Sequence, residues 1–252
     1  MAEPELQSGE RDASYRVVEG LHLRQWVLRP ILPLGVLLTN GAGLLRIEAL
    51  PTWGQWPRVD SEWHLATAVL GVLAVAYATW MRVGAKGVLV RKRELTTHGV
   101  YARVRHPFYT ASLVGAVGAL ALAGPAGAVF AALWLIAALP VFLITIAGEE
   151  DGLSQLHPTA WKSFRTKVPA RLFPPLGWPG TPSACFARVT WANLRAEREP
   201  PRLLRFLAGP VAIVGARLGG IAGWTLVGLA ALTIVLSHTL PSIQAPSRRA
   251  SS

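Results

Sequence analysis

The sequence FYTASLVGAVGALALAGPAGAVFAALWLIAALPVFLITIA, residues 108–147, contains no charged side chain over its whole length. A helix rises about 1.5 Å per residue and needs about 17–25 residues to cross ~30 Å of hydrocarbon. Gly124 and Pro125 lie near the middle, where a glycine allows a turn and a proline can begin a new helix. We therefore predict a tight helical hairpin with arms over residues 108–123 and 125–147.

The composition of the whole chain also indicates a membrane protein. Of its 252 residues, 52% are hydrophobic and only 15% are charged, whereas a soluble domain usually has about 25% charged residues. Further spans are predicted over residues 26–45 and 63–81. The apolar region 203–240 is interrupted by Arg217, which predicts an interfacial helix followed by a fifth span over residues 218–236. The expected fold class is all-α, a polytopic membrane bundle of about five transmembrane helices with a cytoplasmic cofactor pocket.

The basic residues are unevenly distributed between the predicted loops. Segment 82–107 contains seven basic residues and one acidic residue, segment 148–207 contains nine and five, and segment 47–63 contains one and three. Because Lys and Arg in short loops stay on the cytoplasmic side, the first two segments and the amino terminus are expected there. This distribution explains the net charge of +11 without nucleic-acid binding. Residues 1–25 lack the basic start of a cleaved signal peptide and are interpreted as a cytoplasmic tail.

The sequence contains none of the common nucleotide or metal motifs. G-x-x-x-x-G-K-[ST] does not occur, and Arg46 stands where the third glycine of G-x-G-x-x-G would follow Gly41 and Gly43. H-E-x-x-H and C-x-x-C are also missing, and the six histidines are scattered, so no metal site is expected. Cys185 is the single cysteine and cannot form an internal disulfide.

The loop RKRELTTHGVYARVRHPFYTASL, residues 91–113, combines turn, basic and aromatic residues immediately before the hairpin. Gly99 allows a tight turn, and Pro107 disfavours a helical conformation at the residue before it while suiting the first turn of the next helix. The amino terminus of that helix has unpaired N–H groups and a partial positive charge. Because Arg105 adds a full charge, this terminus suits a carboxylate or phosphate. The alternative interpretation is a solvated basic loop that ends in a proline cap.

The segment ITIAGEEDGLSQLHPTAWKSFRTKVPARLFP, residues 144–174, places two acids at the predicted carboxyl end of the hairpin. Glu149 and Glu150 are unfavourable there, because the helix dipole disfavours acids and the nearby hydrocarbon makes an unpaired charge costly. A binding function would explain them, whereas the alternative is that cytoplasmic water solvates both. Farther along, three residues at spacings i, i+3 and i+7 predict an apolar stripe on an interfacial or simply packed helix: Trp161, Phe164 and Val168.

Together these two elements resemble the isoprenylcysteine carboxyl methyltransferase and phospholipid methyltransferase family of integral membrane enzymes. The first element reads G-x-Y-x-x-x-R-H-P-x-Y over residues 99–109. The second is E-E at residues 149–150, followed by an amphipathic stretch that ends in V-P at residues 168–169. The resemblance covers residues 86–174, about a third of the chain. Residues 91–97 resemble a bacterial branch of the family.

The resemblance implies an S-adenosylmethionine-dependent methyltransferase that acts on a lipophilic acceptor at the cytoplasmic face of a bacterial inner membrane. It implies catalytic roles for Glu150 and Arg105 and substrate contacts for Trp161 and Arg171. The implied cofactor pocket consists of Gly99, Val100, Tyr101, His106, Pro107, Tyr109, Glu149 and Glu150. Methyl transfer is an in-line displacement that needs positioning and exclusion of water, so no metal is required. The chain departs from the family where Trp161 and Phe164 replace a common tyrosine, and where Ala170 replaces a basic residue after V-P.

Several functions remain open on these residues. The leading expectation is O-methylation of a carboxylate of the isoprenylcysteine type. The alternatives are N-methylation of a phospholipid such as phosphatidylethanolamine, with Glu150 or His106 as the base, and a catalytically silent membrane scaffold or lipid-binding protein. The expected organisation is a cytoplasmic tail (1–25), two transmembrane helices (26–82), a methyltransferase core (83–176), and a basic linker with a carboxyl-terminal membrane helix region (177–252). The basic segment 190–205 of this linker is expected to anchor on the anionic leaflet, and the alternative is that it binds phospholipid headgroups.

Overall fold

A computed structural model describes residues 30–31, 33–35, 62–89, 95–173 and 182–239. All regular structure in these ranges is helical, which confirms the all-α prediction. The helices are α1 (Glu62–Val88), α2 (Pro107–Ala121), α3 (Pro125–Leu156), α4 (Pro158–Lys167), α5 (Pro182–Phe186), α6 (Trp191–Ala196), α7 (Glu199–Leu218) and α8 (Gly220–Thr239), with a 3-10 turn at Gly99–Ala102. The span predicted over residues 26–45 lies outside the described residues, apart from a short helical stretch between residues 31 and 35.

Three of the described helices are long and apolar enough to cross a membrane: α1, α3 and residues 220–237 of α8. Helix α2 is apolar but has only 15 residues. Many large apolar side chains of the three long helices face outward, including Leu70, Ile136 and Ile221, which are 62%, 71% and 90% exposed. A helix with so apolar an outer face is suited to lipid rather than water. The chain is therefore a membrane protein, as its composition predicts.

Helices α2 and α3 form the predicted hairpin. The turn between them is made at Gly124, whose φ of 101° suits glycine and few other residues. Pro125 occupies the first position of α3. An N–H at this position would have no acceptor within the helix, so a proline costs no hydrogen bond there. Buried side chains of the two arms share one core, with Tyr109 and Leu113 on α2 and Phe142 on α3 among its members. This pairing brings the start of α2 close to the last turns of α3.

Helix α3 continues to Leu156, well beyond the predicted end at Ala147. The expectation that Glu149 and Glu150 lie at the carboxyl end of the helix is therefore wrong, and both lie inside it. The polar residues that follow are compatible with a helix that extends beyond the apolar layer. The helix ends at Leu156, with His157 as its cap, because the residue before a proline is disfavoured in helical geometry and Pro158 starts α4.

Helix α7 does not lie across the end of the bundle, as an interfacial helix would. At its start Glu199 is ion-paired with Arg82 near the end of α1. Near its other end, Arg217 Nη1 donates a hydrogen bond of 2.5 Å to the carbonyl of Leu122, next to the hairpin turn. These two contacts place α7 alongside α2 over the whole length of the hairpin, which corrects the interfacial prediction. The carbonyl of Leu122 gives the buried Arg217 side chain a hydrogen-bond partner at that end of the bundle.

The break between α7 and α8 falls at Gly219, two residues after Arg217, where φ is 61°. The two helices then pack closely through their glycines. A Cβ atom at Gly215 would lie 2.7 Å from the carbonyl oxygen of Gly223, so this crossing leaves no room for a larger residue. The G-x-x-x-G spacing therefore marks helix packing, as such spacings usually do.

Candidate functional site

Charged and aromatic side chains converge where α2 begins and α3 leaves the hairpin. They come from the residues before α2, from its first turn, from α3, and from the segment after α4. We call these residues the hairpin cluster: Arg105, His106, Tyr109, Glu149, Glu150 and Arg171. The hairpin brings the two motifs together although they are about 40 residues apart in sequence.

Glu150 is the centre of the hairpin cluster and is only 5% exposed. Its Oε1 atom accepts a 2.9 Å hydrogen bond from Arg105 Nε and lies 3.2 Å from His106 Nε2. Its Oε2 atom lies 3.0 Å from Arg171 Nη2. A buried carboxylate is costly unless it is paired and hydrogen-bonded, and here three basic side chains surround it.

Arg105 joins Glu150 to the chain segment after α4. Its Nη1 atom donates hydrogen bonds of 2.6 and 2.8 Å to the carbonyl oxygens of Val168 and Pro169. The side chain is 6% exposed, so its charge is enclosed by one carboxylate and two carbonyl groups. This arrangement fixes the guanidinium in place and makes Arg105 a positioning residue for Glu150.

Residues 168–172 form a strap across the start of α2. The backbone N–H groups of Arg105 and His106 donate to the carbonyls of Ala170 and Arg171, at 2.9 and 3.0 Å. The hydroxyl of Thr110 donates to the carbonyl of Leu172. The strap thus occupies two backbone N–H groups next to the amino terminus of α2. This terminus is where the sequence predicts an anion site. An anion at this position would compete with the strap.

Glu149 is the more accessible of the two carboxylates, with its side chain 30% exposed. Its Oε1 atom accepts a 2.6 Å hydrogen bond from the hydroxyl of Tyr109. Its Oε2 atom lies 3.7 Å from His106 Nδ1. The Tyr109 ring is held edge-on against the rings of His106 and Phe142. Glu149 is therefore oriented by the protein but still reachable from outside.

His106 lies between the two carboxylates and is 5% exposed. Burial by itself lowers the pKa of His106, because it disfavours the charged ring. The nearby carboxylates of Glu149 and Glu150 outweigh that effect, so the pKa is raised above its usual value. The cluster therefore favours the cationic form of His106.

The remaining predicted site residues lie beside the hairpin cluster. Gly99 has a φ of 64°, which explains the glycine at the start of the 3-10 turn. Val100 is fully buried in a core with Met81 and Cys185, so its side chain serves packing. Tyr101 packs against that core and also against an apolar cluster formed by the predicted stripe of α4: Trp161, Phe164 and Val168. Pro107 is the first residue of α2.

A second buried charged cluster, which the sequence did not suggest, lies at the end of α1. We call it the rim cluster: Arg82, Lys86, Glu197 and Glu199. Arg82 is ion-paired with Glu199, and Lys86 Nζ lies 3.1 Å from Glu197 Oε2. Both cations also lie over the ring of Phe108, at 4.8 and 4.5 Å from its centroid. The sequence signal for this cluster was the i, i+4 spacing of two basic residues, Arg82 and Lys86, at the end of an apolar helix.

Within the described ranges, no group of three or more histidine, cysteine, aspartate or glutamate residues is arranged to hold a metal ion. Comparisons with family models, with curated proteins and with solved structures find no match to this chain. The functional interpretation therefore rests on the residues of the hairpin cluster and on the motifs that form it.

Proposed function

We propose that the chain is an S-adenosylmethionine-dependent methyltransferase that acts on a lipophilic carboxylate at the cytoplasmic face of the membrane. The observation that carries this proposal is the hairpin cluster, in which Glu149 and Glu150 meet Arg105 and His106. These are residues of the two motifs that resemble the isoprenylcysteine carboxyl methyltransferase and phospholipid methyltransferase family.

The donor set of the hairpin cluster fits this cofactor. When bound, S-adenosylmethionine supplies a methyl group on a positively charged sulfur, together with an amine and a carboxylate. The accessible carboxylate of Glu149, oriented by Tyr109 at 2.6 Å, suits a positively charged group. Glu150 already has three basic partners, so in this proposal it positions Arg105 and His106 rather than binding the cofactor amine itself.

The raised pKa of His106 favours a carboxylate acceptor over an amine. An ionised carboxylate can attack a methyl donor directly, whereas an ammonium group must first lose a proton to a base. His106 was a candidate for that base, but the carboxylates of Glu149 and Glu150 raise its pKa and so favour the protonated ring, which has no free nitrogen to accept a proton. Arg171 is 44% exposed at the edge of the cluster and can hold the acceptor carboxylate.

The cytoplasmic orientation in this proposal follows from charge. The basic segments 82–107 and 148–207 contain the hairpin cluster, and such segments stay on the cytoplasmic side. Helix α7 then leaves that side and α8 returns to it, because α7 runs alongside α2. In this proposal α1, α2, α3, α7 and α8 would cross the membrane and the predicted span 26–45 would precede them, which makes six spans rather than the predicted five or so.

Binding of S-adenosylmethionine to the purified full chain tests the proposal. We expect Glu149→Gln to weaken binding at least about tenfold, because it removes the accessible charge. Asp151→Asn is the matched control, since it removes an exposed carboxylate two residues along the same helix and should leave binding unchanged. Absence of binding by the wild type, or equal binding by the two variants, would refute the proposal.

Methyl transfer then identifies the acceptor. Radiolabelled S-adenosylmethionine is incubated with the protein and either a prenylated cysteine or phosphatidylethanolamine. Label that is released by mild base from the prenylated cysteine indicates a carboxyl ester and supports O-methylation. Label on phosphatidylethanolamine alone would show that the acceptor is an amine and that the argument from His106 is wrong.

A further inference from the structure

Thr110, near the start of α2, is a polar residue that is completely buried beside the hairpin cluster. A threonine in a helix can donate its hydroxyl to the carbonyl four residues earlier, which here belongs to His106. That carbonyl lies 3.3 Å from the hydroxyl but already accepts the backbone N–H groups of Tyr109 and Thr110, at 3.1 and 3.2 Å. Because a carbonyl oxygen has two lone pairs, the hydroxyl is better matched by its second acceptor, the carbonyl of Leu172 in the strap.

Three consecutive carbonyl groups of the strap are thereby bound at the start of α2. The backbone N–H groups of Arg105 and His106 donate to the carbonyls of residues 170 and 171, and the hydroxyl of Thr110 donates to the next one. The side chain of Leu172 is also buried, in the core that the two hairpin arms share. The backbone is therefore fixed on both sides of the Arg171 Cα atom, which limits the directions that the Arg171 side chain can take.

The Arg171 side chain is held at its other end by Glu150. Its Nη2 atom lies 3.0 Å from Glu150 Oε2, and the two side chains are 44% and 6% exposed. A guanidinium has five N–H donors in a planar fork, so one carboxylate oxygen does not use them all. Arg171 therefore binds a buried carboxylate and can offer its exposed N–H groups to a second one.

We propose that Thr110 is a positioning residue that makes the site selective for a carboxylate acceptor. By holding the strap, Thr110 directs Arg171 to the point between Glu150 and the acceptor carboxylate. An ammonium group is disfavoured there, because a guanidinium has the same charge and no hydrogen-bond acceptor. This inference rests on the proposed function, since it concerns the acceptor of that reaction, and it adds a residue that does not itself touch the acceptor.

Binding of a farnesylated cysteine and of its carboxamide to the purified full chain tests the selectivity. The carboxamide has nearly the same shape but no negative charge. We expect the wild type to bind the carboxylate about tenfold more tightly, from one charge-assisted contact at a partly exposed arginine. Arg171→Ala should abolish this preference. Equal binding of the two compounds by the wild type would overturn the proposal.

Thr110→Val tests the positioning role, because valine has a similar size but no hydroxyl. We expect the preference for the carboxylate to fall to about threefold, and Thr110→Ser, which keeps the hydroxyl, should restore it. The matched control is Ser112→Ala. The hydroxyl of Ser112 donates at 3.0 Å to the carbonyl of Phe108 within the same helix, so its loss should leave the preference unchanged. A merely structural role of Thr110 would weaken binding of both compounds equally, and this result would overturn the proposal.

A double substitution shows whether Thr110 acts through Arg171. In an Arg171→Ala background, Thr110→Val should have no further effect on the ratio of the two affinities, since the group that it positions is gone. An undiminished effect of Thr110→Val in that background would mean that Thr110 acts by another route, which contradicts the proposal.

Hydrogen–deuterium exchange follows the strap without any ligand. The amides of Arg105 and His106 are bound by strap carbonyls at 2.9 and 3.0 Å. We expect both amides to exchange faster in Thr110→Val and at the wild-type rate in Thr110→Ser and Ser112→Ala. Unchanged exchange in Thr110→Val would show that the hydroxyl does not hold the strap, and it would overturn the proposal.

Methyl transfer to the farnesylated cysteine separates this inference from the proposed function. A wild type that prefers the carboxylate through Thr110 but transfers no methyl group supports the positioning role and contradicts the methyltransferase. A wild type that transfers the methyl group, together with an unchanged preference in Thr110→Val, supports the methyltransferase and overturns the role of Thr110.

Discussion

The hairpin cluster and the rim cluster are both buried groups of charged side chains, but they are paired differently. In the rim cluster each carboxylate has its own cation, and all four side chains are at most 9% exposed. In the hairpin cluster Glu150 is shared by three basic side chains, while Glu149 is 30% exposed and bound by a tyrosine. One cluster is closed by matched pairs, whereas in the other one carboxylate is shared by several basic side chains and the second carboxylate remains accessible.

This difference separates a structural role from a binding role. The matched pairs of the rim cluster hold the start of α7 against the end of α1. A ligand that replaced one member of a pair would leave the other member as a buried, unpaired charge. In the hairpin cluster a ligand can replace the solvent-facing contacts of Glu149 and Arg171 while Arg105 and Glu150 stay paired. Exposure and the number of partners are thus better guides to a site than burial of charge alone.

The largest expected effect is on stability, at the rim cluster. Glu199→Gln removes the carboxylate that pairs with Arg82 and should lower the free energy of unfolding by about 3–5 kcal/mol. Thermal unfolding in detergent measures the loss. Glu62→Gln removes an exposed acid from the other end of α1 and should have little effect. An affinity for S-adenosylmethionine that falls together with stability would show that the two clusters are not functionally separate.

The next effect is on binding, at the hairpin cluster. Glu150→Gln should weaken S-adenosylmethionine binding about a hundredfold, because Arg105, His106 and Arg171 lose the charge that positions them. The stability loss should be smaller than for Glu199→Gln, since Arg105 keeps the carbonyls of Val168 and Pro169. Calorimetric titration and thermal unfolding of the same samples give both values. A larger stability loss for Glu150→Gln than for Glu199→Gln would contradict the comparison.

A smaller effect is expected from Tyr109→Phe. This change removes one hydrogen bond to Glu149 and keeps the aromatic contacts with His106 and Phe142. We expect about tenfold weaker binding of S-adenosylmethionine, because Glu149 is no longer held in one orientation. Stability should change by less than about 1 kcal/mol, since water can replace the hydroxyl at a partly exposed carboxylate. Unchanged binding would indicate that Glu149 does not contact the cofactor.

The sequence predicted those parts of the fold that depend on local pattern. The hairpin turn at Gly124 and the break after Arg217 follow from glycine, proline and charge at defined positions of apolar stretches. The convergence of Arg105, His106 and Tyr109 with Glu149 and Glu150 follows from the hairpin itself, because the chain reverses at Gly124 and the longer α3 runs back past the start of α2.

The parts that could not be predicted depend on contacts between distant residues. Arg82 and Glu199 are separated by 117 positions, and no local pattern indicates that they pair. The course of α7 alongside α2 depends on that pair and on the bond from Arg217 to Leu122. Arg171 was expected to bind substrate, but its contact with Glu150 depends on the strap, whose hydrogen bonds use backbone groups that any residue has.

The smallest expected effect is a pH dependence at His106. Because its pKa is raised in the folded chain, the stability it contributes is fully present below the unfolded pKa of about 6.5 and is lost as pH rises through the higher folded value. The difference in unfolding free energy between the wild type and His106→Gln should therefore be constant below about pH 6.5 and should shrink above it. In a Glu149→Gln background the difference should be smaller and its decline should end at lower pH, because one of the two carboxylates that raise the folded pKa is gone. A difference that instead rises with pH up to about 6.5 and is constant above it would mean that the folded pKa of His106 is lowered and that the ring is buried in its neutral form. His106 would then again be a candidate base for an amine acceptor.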